Sequence, residues 1–126
     1  MLTEKITNPS ITQGVIQKVG EVEIAANGRV MVSTNTGIVQ ARLALSCLAQ
    51  PIAGDTVMLA QQNGQAWVLA LLHRPTDQAL VLQTDRLTRL VVQDSLEVET
   101  KNLCFKAVET QITTESFNLK ARSTQW

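Results

Sequence analysis

The 126 residues include no tyrosine and only two tryptophans and two phenylalanines. Proteins that grip single-stranded nucleic acid stack bases on aromatic platforms, so this scarcity speaks against such a binder. An excess of one charge is also missing, since eleven basic residues face eleven acidic ones. A phosphate-binding surface needs a basic excess, and no run of like charges forms a polybasic membrane patch or an acidic tail. Residues 1–10 (MLTEKITNPS) are polar, lack the apolar centre of a secretory leader, and read as a flexible N-terminus. No apolar stretch approaches the ~18 residues that cross a bilayer. The expectation is a soluble cytoplasmic protein that binds neither nucleic acid nor membrane.

Chemistry-bearing residues are equally sparse. The single histidine, His73, stands in the apolar run LALLHRP with no nucleophile motif beside it, and reads as a strand-end residue. Cys47 and Cys104 lie in apolar contexts, in no CxxC or Cys/His spacing, and read as buried free thiols. One histidine and two distant cysteines do not supply zinc-ligand spacing. The glycines at 14, 20, 28, 37, 54 and 64 are spaced like turn residues, so no phosphate-cradling loop exists. Asp94, Glu97 and Glu99, with Lys101 and Lys106, read as a solvated face. We therefore expect no enzyme, no catalytic or metal site and no cofactor.

What is present is strand pattern. From residue 11 to 75 short β-type runs alternate with turns. Val15, Val22 and Ile24 sit among polar neighbours, Asn27-Gly28 is a two-residue hairpin signal, and Val30 and Val32 alternate after it. Residues 35–37 make another turn before the run at 38–45. Gly54 and Asp55 turn the chain into a strand at 56–60, and Gln62-Asn63-Gly64 leads back through 66–72. Five or six short strands in about sixty residues predict a small all-β domain, a five-stranded OB-like barrel over 11–75. Asn27, Gly28, Gly54 and Asp55 are its expected turn residues. Pro75 marks the boundary, since proline interrupts pairing.

Residues 76–126 carry a different pattern, a period of seven. Written in sevens from Leu82, the third positions are Thr84, Val91, Val98, Phe105, Ile112, Leu119 and Trp126. The first positions include Leu82, Leu96, Leu103 and Phe117. A coiled coil places apolar residues three or four apart. Here the strongest pairs (Leu96/Val98, Leu103/Phe105, Phe117/Leu119) are two apart, on one face of a strand but on opposite faces of a helix. Threonine and valine enrichment agrees with strands. Short strands at fixed period predict a β-helix or prism. A stripe of one or two residues per turn is too thin a core for one chain, so the expectation is a homotrimer. Its core would be Val91, Leu96, Val98, Leu103, Phe105, Ile112, Phe117 and Leu119.

Two stretches belong together: Ser46-Cys47-Leu48-Ala49-Gln50-Pro51-Ile52-Ala53-Gly54-Asp55-Thr56-Val57-Met58-Leu59, then Trp67-Val68-Leu69-Ala70-Leu71-Leu72-His73-Arg74. They resemble an uncharacterised family encoded among type VI secretion genes, and the resemblance extends over most of residues 11–126. The family's order, barrel then repeats, is similar to trimeric spike proteins whose barrel precedes an intertwined β-helix. The resemblance implies an adaptor or structural part of a contractile injection spike. Such a part would assist spike assembly or toxin loading, partner a spike protein or toxin effector, and either travel with the spike or stay behind as a loading factor. His73 departs from the acidic or polar residue usual before the arginine, and no functional residue is carried over. The alternative is an OB-type module binding nucleic acid or saccharide, with Lys18, Arg29 and Arg42 as its basic candidates.

Overall fold

The computed structural model describes residues 14–122, so the readings made on residues 1–10 and on Trp126 lie outside the described residues. Five strands form: β1 (Ile16–Ala26), β2 (Arg29–Thr34), β3 (Gly37–Leu43), β4 (Thr56–Gln62) and β5 (Gln65–His73). No helix is present among the described residues, and none therefore is long and apolar enough to cross a membrane. The strands close into a barrel in the order β1-β2-β3-β5-β4. Neighbours are antiparallel except β3 and β5, which run parallel through Arg42↔Trp67 and Leu43↔Val68.

Local chemistry explains the hairpins. Both Asn-Gly pairs adopt the left-handed backbone that a type I′ turn requires, with φ of 55° and 75° at Asn27 and Gly28 and 53° and 78° at Asn63 and Gly64. β1 is long enough to serve two neighbours. Its first half pairs with β4 and its second half with β2, with a register shift between Val22 and Ile24. That double pairing closes the barrel.

Alternation fills the interior. Val30 and Val32 on β2, Ala41 on β3, Val57 and Leu59 on β4, and Ala66 and Val68 on β5 are buried with Val22 of β1. Cys47, from the loop between β3 and β4, joins them. Each fully buried Val or Leu contributes about 1.5–3 kcal/mol relative to exposure. The core is aliphatic and small, which fits a narrow five-stranded barrel. Gly20 lies where β1 passes over β2, and a Cβ there would stand 2.5 Å from Val32 Cγ1 and 2.6 Å from the Ser33 carbonyl oxygen.

The described chain divides into two compact units, one running to Arg89 and the other beginning at Leu90. Residues 76–89, grouped with the repeat from sequence, thus go with the barrel. The reason is hydrogen bonding: Gln50 N–H donates to the Val81 carbonyl (2.9 Å) and Gln83 N–H to the Leu48 carbonyl (2.9 Å), around a single bridge of Ala49 and Leu82. Beyond Leu90 every described residue is exposed, and no strand ladder forms there among the described residues. The sequence period is nonetheless expressed in the backbone, which bends at Asp94, Lys101, Val108, Glu115 and Arg122, seven residues apart each time.

Candidate functional site

Two places concentrate chemistry: the point where the chain leaves the barrel, and the seven-residue unit itself.

At the exit, Asp55 is wholly buried. A carboxylate removed from water must be paired and hydrogen-bonded, and this one is. Arg74 donates through Nε to Oδ1 (2.9 Å) and through Nη2 to Oδ2 (2.8 Å), a bidentate fork. The Ile52 N–H donates to Oδ2 at 2.8 Å. Hydrogen bonds from Arg74 hold the Asp55 carboxyl below the usual carboxylate range, burial pushes the other way, and the Ile52 N–H adds to the lowering. The same guanidinium donates to the carbonyls of Gln50 (3.1 Å), Gln78 (3.3 Å) and Ala79 (2.6 Å). One side chain thereby ties the start of β4, the end of β5, the β3–β4 loop and the segment that follows β5. Its chemical capacity is mechanical, fixing the direction in which the chain leaves the barrel.

Bulges create this meeting. The β4–β5 register begins with Gln62↔Gln65, and carried on unbroken it would set Leu72 opposite Asp55. Two register shifts add one residue each on β5, so that Thr56 pairs with His73 and the next step brings Asp55 to Arg74. The sequence reading placed Asp55 in a turn and passed over Arg74. A usable signal was present: an acid leading into an apolar strand and a base leaving its hairpin partner.

The other predicted residues fall as follows. Asn27 and Gly28 form the β1–β2 turn, and Gly54 (φ 95°) makes the turn before Asp55. Lys18 donates from Nζ to Thr36 Oγ1 at 2.6 Å and lies apart from the arginines. Arg29 and Arg42 are direct cross-strand partners on β2 and β3, both exposed. They share a hollow with Asn27, Gln40 and Gln65 that no acidic residue lines. His73 ends β5, exposed. Cys47 is buried, and burial pushes its thiol up; Cys104, expected to be buried, is exposed in the single chain, because its unit has no interior. Among the described residues no three His, Cys, Asp or Glu side chains come together as a metal-ligand set.

In the second unit Val91, Leu96, Val98, Leu103, Phe105, Ile112, Phe117 and Leu119 are all exposed in the single chain, Phe105 at 84% and Val98 at 68%. Two threonines at the fifth position of the seven brace the bends. Thr100 Oγ1 donates to the Asn102 carbonyl (3.1 Å) across Lys101, and Thr114 Oγ1 to the Ser116 carbonyl (2.7 Å) across Glu115. These are the two hydrogen bonds formed among residues 90–122.

A family profile described as protein of unknown function (DUF3540) matches residues 20–126. No curated protein and no solved structure matches the chain.

Proposed function

The chain belongs to the DUF3540 family, and from that premise we propose that it is a non-enzymatic structural or adaptor protein of a contractile injection spike of the type VI secretion kind. It assembles as a homotrimer and assists spike assembly or the loading of a toxin effector. One observation carries the reading: a segment that bends every seven residues while presenting an exposed apolar residue in almost every period. Large apolar side chains left exposed at regular intervals mark an interaction surface. Apart from the Asn102 and Ser116 carbonyls, its backbone N–H and C=O groups also have no hydrogen-bond partner among the described residues, as in an unpaired strand edge. Three copies wound about one axis satisfy both needs, because each stripe then faces two others.

The testing measurement is the molar mass of the full chain by light scattering behind size exclusion. Three protomers are expected, and a monomer at micromolar concentration overturns the reading. Val98→Asp sets three carboxylates against one another on the axis and is expected to abolish the assembly. An assembly of unchanged mass and melting temperature argues against an inward stripe. A pull-down with spike and toxin chains then tests the secretion role itself.

The Arg29/Arg42 hollow favours a second reading, an OB-type module for nucleic acid or saccharide. It adjoins the β2–β3 face and the β1–β2 and β4–β5 turns, where OB barrels take oligomers. Binding of a labelled oligonucleotide at low salt, lost steeply as salt rises, is the result that would support it.

A further inference from the structure

We propose that the repeat associates with further copies of itself offset by one seven-residue unit, so that charged side chains at each bend meet opposite charges on the neighbouring chain. This rests on the homotrimer reading above and adds its register. The bend positions are Asp94, Lys101, Val108, Glu115 and Arg122, an acid followed one period later by a base, twice. Two positions before each bend stand Val92, Glu99, Lys106, Thr113 and Lys120, where Glu99 again precedes a base by one period.

Three registers can be compared. With no offset every charge meets its own copy, which is destabilising for directly opposed strands. An offset of two units sets Lys101 against Glu115 but also Lys106 against Lys120, and the two cancel. An offset of one unit pairs Asp94 with Lys101, Glu99 with Lys106 and Glu115 with Arg122, with no like pair at either position. The charges select one register of the three.

A three-fold winding gives the same register. If each unit turns its chain by a third of a revolution, the three-fold axis carries unit n of one chain onto the face where unit n+1 of its neighbour lies. The two are separated by one strand spacing, about 4.8 Å. After three units the first chain returns to that face. One face then reads Asp94, Lys101, Val108, Glu115 and Arg122 from successive chains, and the strands between them exchange backbone hydrogen bonds that the single chain leaves unmade.

The experiment uses the full chain with Cys104→Ser, carrying Asp94→Cys alone or with Lys101→Cys, treated with a short bis-maleimide and run on a denaturing gel. Cys47 is buried and stays out of the reaction. The offset predicts a covalent trimer from the double variant, closed by three 94–101 links, and monomer from Asp94→Cys alone. Covalent dimer from Asp94→Cys alone, or no covalent trimer from a double variant whose native mass is three protomers, overturns the offset while leaving the trimer standing. A native mass of one protomer overturns the trimer reading and the offset with it. As a second readout, Asp94→Lys lowers the melting temperature of the trimer and adding Lys101→Asp restores it. Equal melting for single and double variants also counts against the offset.

Discussion

Asp55→Asn is the most informative single change in the barrel, because it removes the charge and turns one acceptor oxygen into a donor without altering shape. The carboxylate accepts three N–H groups: Arg74 Nε at Oδ1, and Arg74 Nη2 and the Ile52 amide at Oδ2. An asparagine keeps one acceptor oxygen. Placing that oxygen at the Oδ2 position preserves two bonds and points the new NH2 group at the Nε–H, donor against donor. Losing one hydrogen bond to a charged group costs about 1.5–3 kcal/mol, and stranding a buried donor about 1–3 kcal/mol more. The Arg74 side chain reaches solvent over a tenth of its surface, which draws the total toward the lower end, about 3 kcal/mol. For a domain of roughly 60–100 residues that corresponds to a melting temperature about 12–24 °C lower. The assay is urea unfolding followed by the fluorescence of Trp67 on β5, in a Trp126→Phe background so that one indole reports. A loss below about 1 kcal/mol would refute the reasoning, because the pair would then behave as an exposed one. The pH dependence supplies a second check. The folded carboxyl titrates below its unfolded value near 3.9, so its stabilisation is complete above that pH and is lost as pH falls through the lower folded value. The wild-type chain therefore loses stability in acid more steeply below about pH 4 than Asp55→Asn.

Three further outcomes follow from the geometry. Gly20→Ala drives a methyl into Val32 and the Ser33 carbonyl, and is expected to destabilise the barrel by about 1–3 kcal/mol in the same urea titration. Cys47, buried and with its thiol pushed up, is expected to resist alkylation at neutral pH until denaturant is added, which mass spectrometry of the labelled peptide reads directly. A chain cut after Arg74 forfeits the Gln78 and Ala79 carbonyls that Arg74 holds, and the bonds from Val81 and Gln83. It is expected to melt below a chain cut after Arg89, as differential scanning fluorimetry of the two would show.

The five strands were legible because their signals are local. Val30/Val32 and Val57/Leu59 stand two apart in short apolar runs bounded by turn residues, and two Asn-Gly pairs can hardly be anything but tight hairpin turns. The period of seven was equally legible, since the third position is apolar from Val91 through Leu119 in every unit and is paired two residues earlier by Leu96, Leu103 and Phe117, and the backbone bends keep that count. How the period is buried is a different matter. In the single chain the stripe is exposed, and the period alone does not say what covers it.

Tertiary structure alone decided the barrel exit. Asp55 and Arg74 are brought together by two bulges on β5, which shift a register that the turn at Asn63-Gly64 would otherwise have carried past the pair. Bulges are set by how strands fit around a closed barrel, which no short window of sequence contains. The same holds for residues 76–89. By pattern they belong to the repeat, yet Val81 and Gln83 hydrogen-bond to the loop at Leu48 and Gln50, because that loop offers an unpaired edge close to where Arg74 points the chain. Periodicity fixes which residues are apolar and which face one another along a strand; closure of the barrel fixes which strand ends meet.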